Sequence, residues 1–155
     1  MTSISSPLSS ENKKIVTDCL QGALIDLIDL SLEGKQAHWN VIGRHFRSIH
    51  LHLDEIVDLA RESADLVAER AVAIGSNPDG RPGTVARDSH VTRVDSGYIE
   101  DGKVIAIFTD VLESIIRRMR ERVDATETTD PVTQDLLIGI TRDLEKHHWM
   151  MQAQR

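Results

Sequence analysis

The sequence predicts an all-α chain: four long helices packed as a bundle, with a long crossover between the second and the third. Apolar residues recur at steps of three and four through four segments, the helical repeat of about 3.6 residues. Short breaks join the first two segments and the last two. The stretch from Gly75 to about Glu100 is too long for a plain bundle turn and must cross the bundle. The first helix spans roughly Ser10 to Asn40 and carries Ile15, Leu20, Leu24, Leu27, Ile28 and Leu32, with Ser9 or Ser10 able to cap it. The second runs roughly from His45 to Ile74, with Phe46, Ile49, Leu53, Ile56, Ala60, Ala64, Val67, Ala71 and Ile74 as its core stripe. Gly75, Pro78, Gly80, Pro82 and Gly83 break the helical pattern at the start of the crossover. The third helix, about Asp101 to Asp124, shows Val104, Phe108, Val111, Leu112, Ile115 and Met119. Asp130-Pro131 opens the fourth, which runs to about Gln154, with Pro131 in the first turn where its missing N–H costs little. No internal repeat or β-rich region is apparent, so the expected organisation is a flexible tail over 1–9 and one bundle domain over 10–155.

A chain of 155 residues can bury one sizeable core, and with aromatics at 3% that core must be aliphatic. The single cysteine, Cys19, excludes an intrachain disulfide and reads as a small buried hydrophobe rather than a reactive thiol. The opening MTSISSPLSSENKK has neither a basic nor an apolar leader region, and no apolar run reaches membrane-spanning length. A soluble cytoplasmic protein is expected, nucleoid-associated only if it binds DNA.

The chemistry-bearing residues lie on the second helix. His50, Asp54, Asp65 and Glu69 pair symmetrically about a point between Leu59 and Ala60. With His50 at 0° on a helical wheel, Asp54 falls at about 40°, Asp65 at about 60° and Glu69 at about 100°, all on one side. They cannot share an ion within one chain, because at about 1.5 Å rise per residue Asp54 and Asp65 lie roughly 16 Å apart. Ligand atoms must come within about 2.0–2.2 Å of a transition metal. A second copy of the helix, crossed antiparallel about a two-fold axis, sets His50 and Asp54 of one chain level with Glu69 and Asp65 of the other and creates two equivalent sites per dimer. Leu51, Val57, Ala68 and Val72 share that side, a mixed apolar and acidic face suited to a subunit contact. The simpler alternative is that these carboxylates are only solvated. His38 ends the first helix just before Trp39, Asn40 and the Gly43 breaker, so the chain turns there and can bring His38 back towards His50.

The segment KQAHWNVIGRHFRSIHLHLD (Lys35 to Asp54), followed by SADLVAER (Ser63 to Arg70), resembles the ferroxidase signature of the Dps proteins, the dodecameric mini-ferritins of bacteria and archaea. The likeness covers almost the whole chain, down to LEKHHWM (Leu144 to Met150). It implies a ferritin-like four-helix bundle with a short helix in the crossover, assembled as a homododecamer from two-fold dimers. It also implies a metal and catalytic set of His38, His50 and Asp54 from one subunit with Asp65 and Glu69 from its mate. Iron is the expected metal, in up to two positions per site: Fe(II) is oxidised, preferentially by hydrogen peroxide and more slowly by dioxygen, and Fe(III) is mineralised inside the shell. Such chemistry protects the cell and its DNA from oxidative damage. The donor set agrees, since imidazole and carboxylate suit Fe(II) and can hold the harder Fe(III). Trp39 beside His38 either packs the site or traps oxidising equivalents.

The net charge of −7 gives an assembled shell that attracts cations and repels nucleic acid. Asp124, Glu127, Asp130 and Asp135 are read either as a three-fold pore for iron uptake, chiefly through Asp130 and Asp135, or as a solvated face. Glu55, Asp58 and Glu62 are open candidates for mineral nucleation. Some Dps proteins bind DNA through lysine-rich tails; here only Lys13 and Lys14 stand near the start and no basic cluster precedes Arg155, so nucleoid binding is expected to be weak. A remoter alternative is amide hydrolysis at the same metal site. Glu145-x-x-His148 mimics half of an in-bundle di-iron centre, but the second helix offers Glu62-x-x-Asp65 in place of the matching Glu-x-x-His. His147 and His148 are read as packing or surface groups, and His45, His52 and His90 have no evident partners.

Overall fold

The computed structural model describes residues 4–155, so residues 1–3 of the expected tail lie outside the described residues. Four long helices form the bundle: α1 (Ser10–Asn40), α2 (Phe46–Ala73), α4 (Asp101–Thr126) and α5 (Pro131–Gln152). A short helix, α3 (Pro82–Asp88), stands in the crossover. Helix α1 packs along α2 and α4 along α5, and α1–α4 and α2–α5 contacts join the two pairs. The Ser9 hydroxyl accepts the Asn12 N–H and caps α1, and Pro131 begins α5 where no N–H is needed. Residues 4–9 are described without regular secondary structure; Leu8 packs against the core, and the Ile4 carbonyl lies beside Gly75.

The core is aliphatic, with Phe108 its largest buried side chain. Every residue of the α2 stripe from Ile49 to Ile74 is buried, but Phe46, at the first turn, is 43% exposed and lies beside the His50 ring instead of in the core. On α1 the buried face runs through Val16, Leu20, Ala23, Leu24, Leu27, Leu30 and Ala37; Ile15 and Leu32 of the expected face are exposed. Val57 also departs from expectation. It is fully buried against α1, because Gly34 leaves room there: a Cβ at Gly34 would come within 2.6 Å of the Val57 methyl.

Two-residue strands β1 (Val41–Ile42) and β2 (Ile99–Glu100) pair in parallel just before α2 and α4, a link with no alternation long enough to read from sequence. Asp101 secures the same junction, since one of its carboxylate oxygens accepts the His45 N–H (2.6 Å) and the other the Gly102 N–H (2.8 Å). It packs against Gly43, whose φ of +127° suits glycine and where a Cβ would lie 2.6 Å from the Asp101 carboxylate. The turn that carries His38 and His50 is therefore tied to the far helix pair. Among the described residues, no helix is long and apolar enough to cross a membrane.

Candidate metal centre

The α1–α2 turn brings His38 and His50 face to face, with ring centroids 3.6 Å apart and planes 19° from parallel. Each ring is tied to the other's backbone: His38 Nδ1–H donates to the His50 carbonyl (2.8 Å), and His50 Nδ1–H donates to the His38 carbonyl (2.9 Å). The reciprocal bonds place the proton on Nδ1 in both rings and leave both Nε2 lone pairs free, the tautomer that ligates a metal through Nε2. His38 is buried and His50 half-buried.

Asp54 lies one helical turn beyond His50, with one carboxylate oxygen 3.2 Å from His38 Nδ1. The same oxygen accepts from the Lys35 ammonium, one turn before His38. The Lys35 hydrogen bond, helped by the ammonium's charge, holds the Asp54 carboxyl below the ordinary carboxylate range. Asp54 is thus ready as an anion, but a lysine neutralises it. Replacing Lys35 by Met frees the carboxylate, and as a partly exposed ion pair is worth at most about 1 kcal/mol, the expected result is a roughly two- to fivefold fall in half-saturating Fe(II) concentration. A rise in that concentration would show that Lys35 assists metal binding.

Asp65 and Glu69 are exposed further along α2 and are not brought to the other three within the chain. Beside them Leu66 and Val72 are 50% and 39% exposed, and at the other end of the helix Leu51, next to His50, is 44% exposed and Trp39, next to His38, 67%. The protomer therefore leaves bare an apolar surface interleaved with carboxylates.

Asp130 and Asp135 differ sharply. Asp130 is buried and accepts from Arg70 of α2 (2.6 Å) and from the Thr133 hydroxyl. Burial pushes its carboxyl up, but the Thr133 and Arg70 hydrogen bonds and the Arg70 charge outweigh this and hold it low. It fastens the α4–α5 turn to α2, and of the pair only Asp135 offers a carboxylate to solvent. Glu145 is engaged by Arg120. His52, which showed no partner in the sequence, meets His147 across the α2–α5 contact, with Nε2 and Nδ1 3.1 Å apart. Together with Glu55 they are, among the described residues, the one group of three such side chains whose donor atoms all lie within 4.8 Å of one another. The His-x-x-Glu spacing on α2 was the available signal; the register of α5 beside it was not legible.

A model of the ferritin-like domain matches residues 17–155. The DNA protection during starvation protein of Mycolicibacterium smegmatis is 37% identical over 157 residues, covering 99% of this chain and 84% of that relative. DNA protection during starvation protein 2 of Deinococcus radiodurans is 35% identical over 144 residues; the match covers 93% of this chain but 60% of that longer relative. The solved Dps of Mycobacterium smegmatis, in its tetragonal form, superposes with a TM-score of 0.93 at 35% identity, covering 99% of this chain and 94% of that one. The chain belongs to the Dps family of ferritin-like proteins. Iron storage and DNA protection are the general business of that family, and the short crossover helix α3 agrees with the Dps form of the bundle.

Proposed function

We propose that this Dps-family chain is a ferroxidase and iron store, oxidising Fe(II) at sites shared between two subunits and holding the Fe(III) mineral within a dodecameric shell in the cytoplasm. The observation that carries this reading is the reciprocally bonded His38–His50 pair with Asp54 beside it, an incomplete ligand set whose missing carboxylates stand exposed on the same helix. A two-fold mate supplies Asp65 and Glu69 and covers the apolar surface around them. His38, His50 and Asp54 then bind one iron, and the mate's two carboxylates complete that site and bridge towards a second, weaker position. The protein's task is to hold two Fe(II) ions close together so that one hydrogen peroxide takes one electron from each, with two protons, and leaves as two waters, the protons being returned when the product Fe(III) hydrolyses to mineral. Neutral imidazoles and carboxylates accommodate the extra charge of the product Fe(III). Trp39 packs over His38 in the assembled site.

The direct test combines assembly and stoichiometry. A monodisperse particle near twelve times 17.3 kDa, consuming one hydrogen peroxide for every two Fe(II) without releasing hydroxyl radical, is the expected result. A stable monomer at micromolar concentration, or peroxide loss unrelated to iron, would overturn the proposal. Protection of DNA follows from removing Fe(II) and peroxide together and needs no contact with the duplex. The net charge of −7 per chain opposes such contact. The assembled protein is expected not to retard linear duplex DNA at physiological salt without divalent cations, and tight retardation under those conditions would reveal a basic surface created by assembly.

A further inference from the structure

We propose that His52, Glu55 and His147 form a separate divalent transition-metal site, contained in one protomer at the contact of α2 and α5. It uses none of the five residues of the shared centre. His52 and Asp54, two positions apart, project about 200° from each other around α2, so the two sites lie on different sides of the helix.

Distance supports the assignment. His52 Nε2 and His147 Nδ1 are 3.1 Å apart, and the rings, 5.3 Å between centroids, are tilted by 35°. For an ion about 2.05 Å from each nitrogen, a usual metal–imidazole distance, that separation corresponds to a nitrogen–metal–nitrogen angle of about 98°, between the octahedral and tetrahedral values. Glu55 follows His52 by three residues and so lies on the same side of α2, with a carboxylate oxygen inside the 4.8 Å group. Both imidazoles are buried at 9% exposure while Glu55 is exposed, so the nitrogens are held by packing and the carboxylate side is open for an ion and its waters to approach. Two histidines and one carboxylate with open positions form a donor set for Fe(II), Co(II) or Zn(II), and are too nitrogen-rich for Mg(II) or Ca(II).

The hydrogen bonds around the pair allow an ion to enter without stranding a polar group. In the metal-free arrangement the Gln154 amide donates to His52 Nδ1 (3.2 Å), and His52 Nε2–H donates to His147 Nδ1. An ion replaces the shared proton between the rings. The His52 proton then resides on Nδ1, and rotation of the Gln154 amide offers its oxygen as the acceptor, so the imidazole remains neutral and supported from behind. The Met150 carbonyl, which accepts from that amide in an exposed hydrogen bond in the metal-free arrangement (2.9 Å), is left to solvent.

The probe is Co(II), followed by its visible absorption, in the assembled His38→Ala/His50→Ala/Asp65→Ala/Glu69→Ala protein, whose shared centre keeps no nitrogen ligand and, of its carboxylates, only Asp54. One nitrogen-ligated Co(II) per chain is expected. Adding His147→Ala should abolish it, whereas adding His148→Ala should leave it. No such binding, or the same stoichiometry after His147→Ala in a particle of unchanged mass, would overturn the proposal. Should His147→Ala fail to assemble, a wild-type crystal soaked in Co(II) and read at the cobalt edge decides: an anomalous peak between the His52 and His147 rings supports the site, and occupancy elsewhere with none there refutes it. Because the readout is made without the shared centre, it stands or falls apart from the ferroxidase reading.

Discussion

Alanine at both Asp65 and Glu69 is expected to slow Fe(II) oxidation by about a hundredfold or more, since even the loss of groups that merely support metal ligands costs roughly 10- to 100-fold. The change should be confined to chemistry. Both side chains are exposed, and neither takes part in a described hydrogen bond or ion pair, so helical content and thermal stability of the protomer should stay close to wild type. Initial oxidation rates with hydrogen peroxide, measured beside particle mass, provide the check. A rate within a few-fold of wild type in an intact particle would show that the second half of α2 contributes nothing to the centre.

The largest expected effect on stability lies far from that centre. Asp26 of α1 is 2% exposed and accepts a two-pronged bond from Arg118 (2.8 and 3.0 Å) and a third from Arg122 (2.8 Å), joining α1 to α4. Gly22 makes room for the arrangement, because a Cβ there would sit 2.8 Å from the Arg122 guanidinium. Asp26→Ala strands two largely buried cations without their anion, and breaking a buried pair in this way costs about 3–5 kcal/mol. At roughly 2–4 °C per kcal/mol for a chain of this size, a fall in Tm on the order of 10 °C is expected. Replacing Asp26, Arg118 and Arg122 together by leucine and methionines should recover most of the loss, because the penalty belongs to unpaired charge. A single variant as stable as wild type would show that water reaches the cluster.

What could be read from the sequence followed what is local to it. The four helices and their capping residues are encoded by repeats of three and four, by Ser9, and by Asp130-Pro131, and the structure places them within two or three residues of expectation. The symmetry of His50, Asp54, Asp65 and Glu69 is visible because one helix carries all four. Features that need two helices in register were not visible. His52 looked solitary until α5 brought His147 beside it, Val57 looked like surface until Gly34 admitted it to the core, and Asp130 looked like a free acid until Arg70 reached it. Phe46 erred for a different reason: periodicity continues past the point where the bundle still has something to cover it, and at the first turn of α2 the ring meets His50 and solvent.

The central claim is that one centre draws its ligands from two chains, and mixing complementary variants tests it most directly. His50→Ala/Asp54→Ala and Asp65→Ala/Glu69→Ala should each be nearly inactive alone, since both sites of every homodimer lack ligands. After disassembly and joint reassembly, each mixed dimer holds one complete site and one stripped of all four residues. Random pairing makes about half the dimers mixed, so about a quarter of wild-type oxidation should return under two-fold symmetry. Activity that stays at the level of the parents in reassembled particles of verified mass would contradict the shared centre.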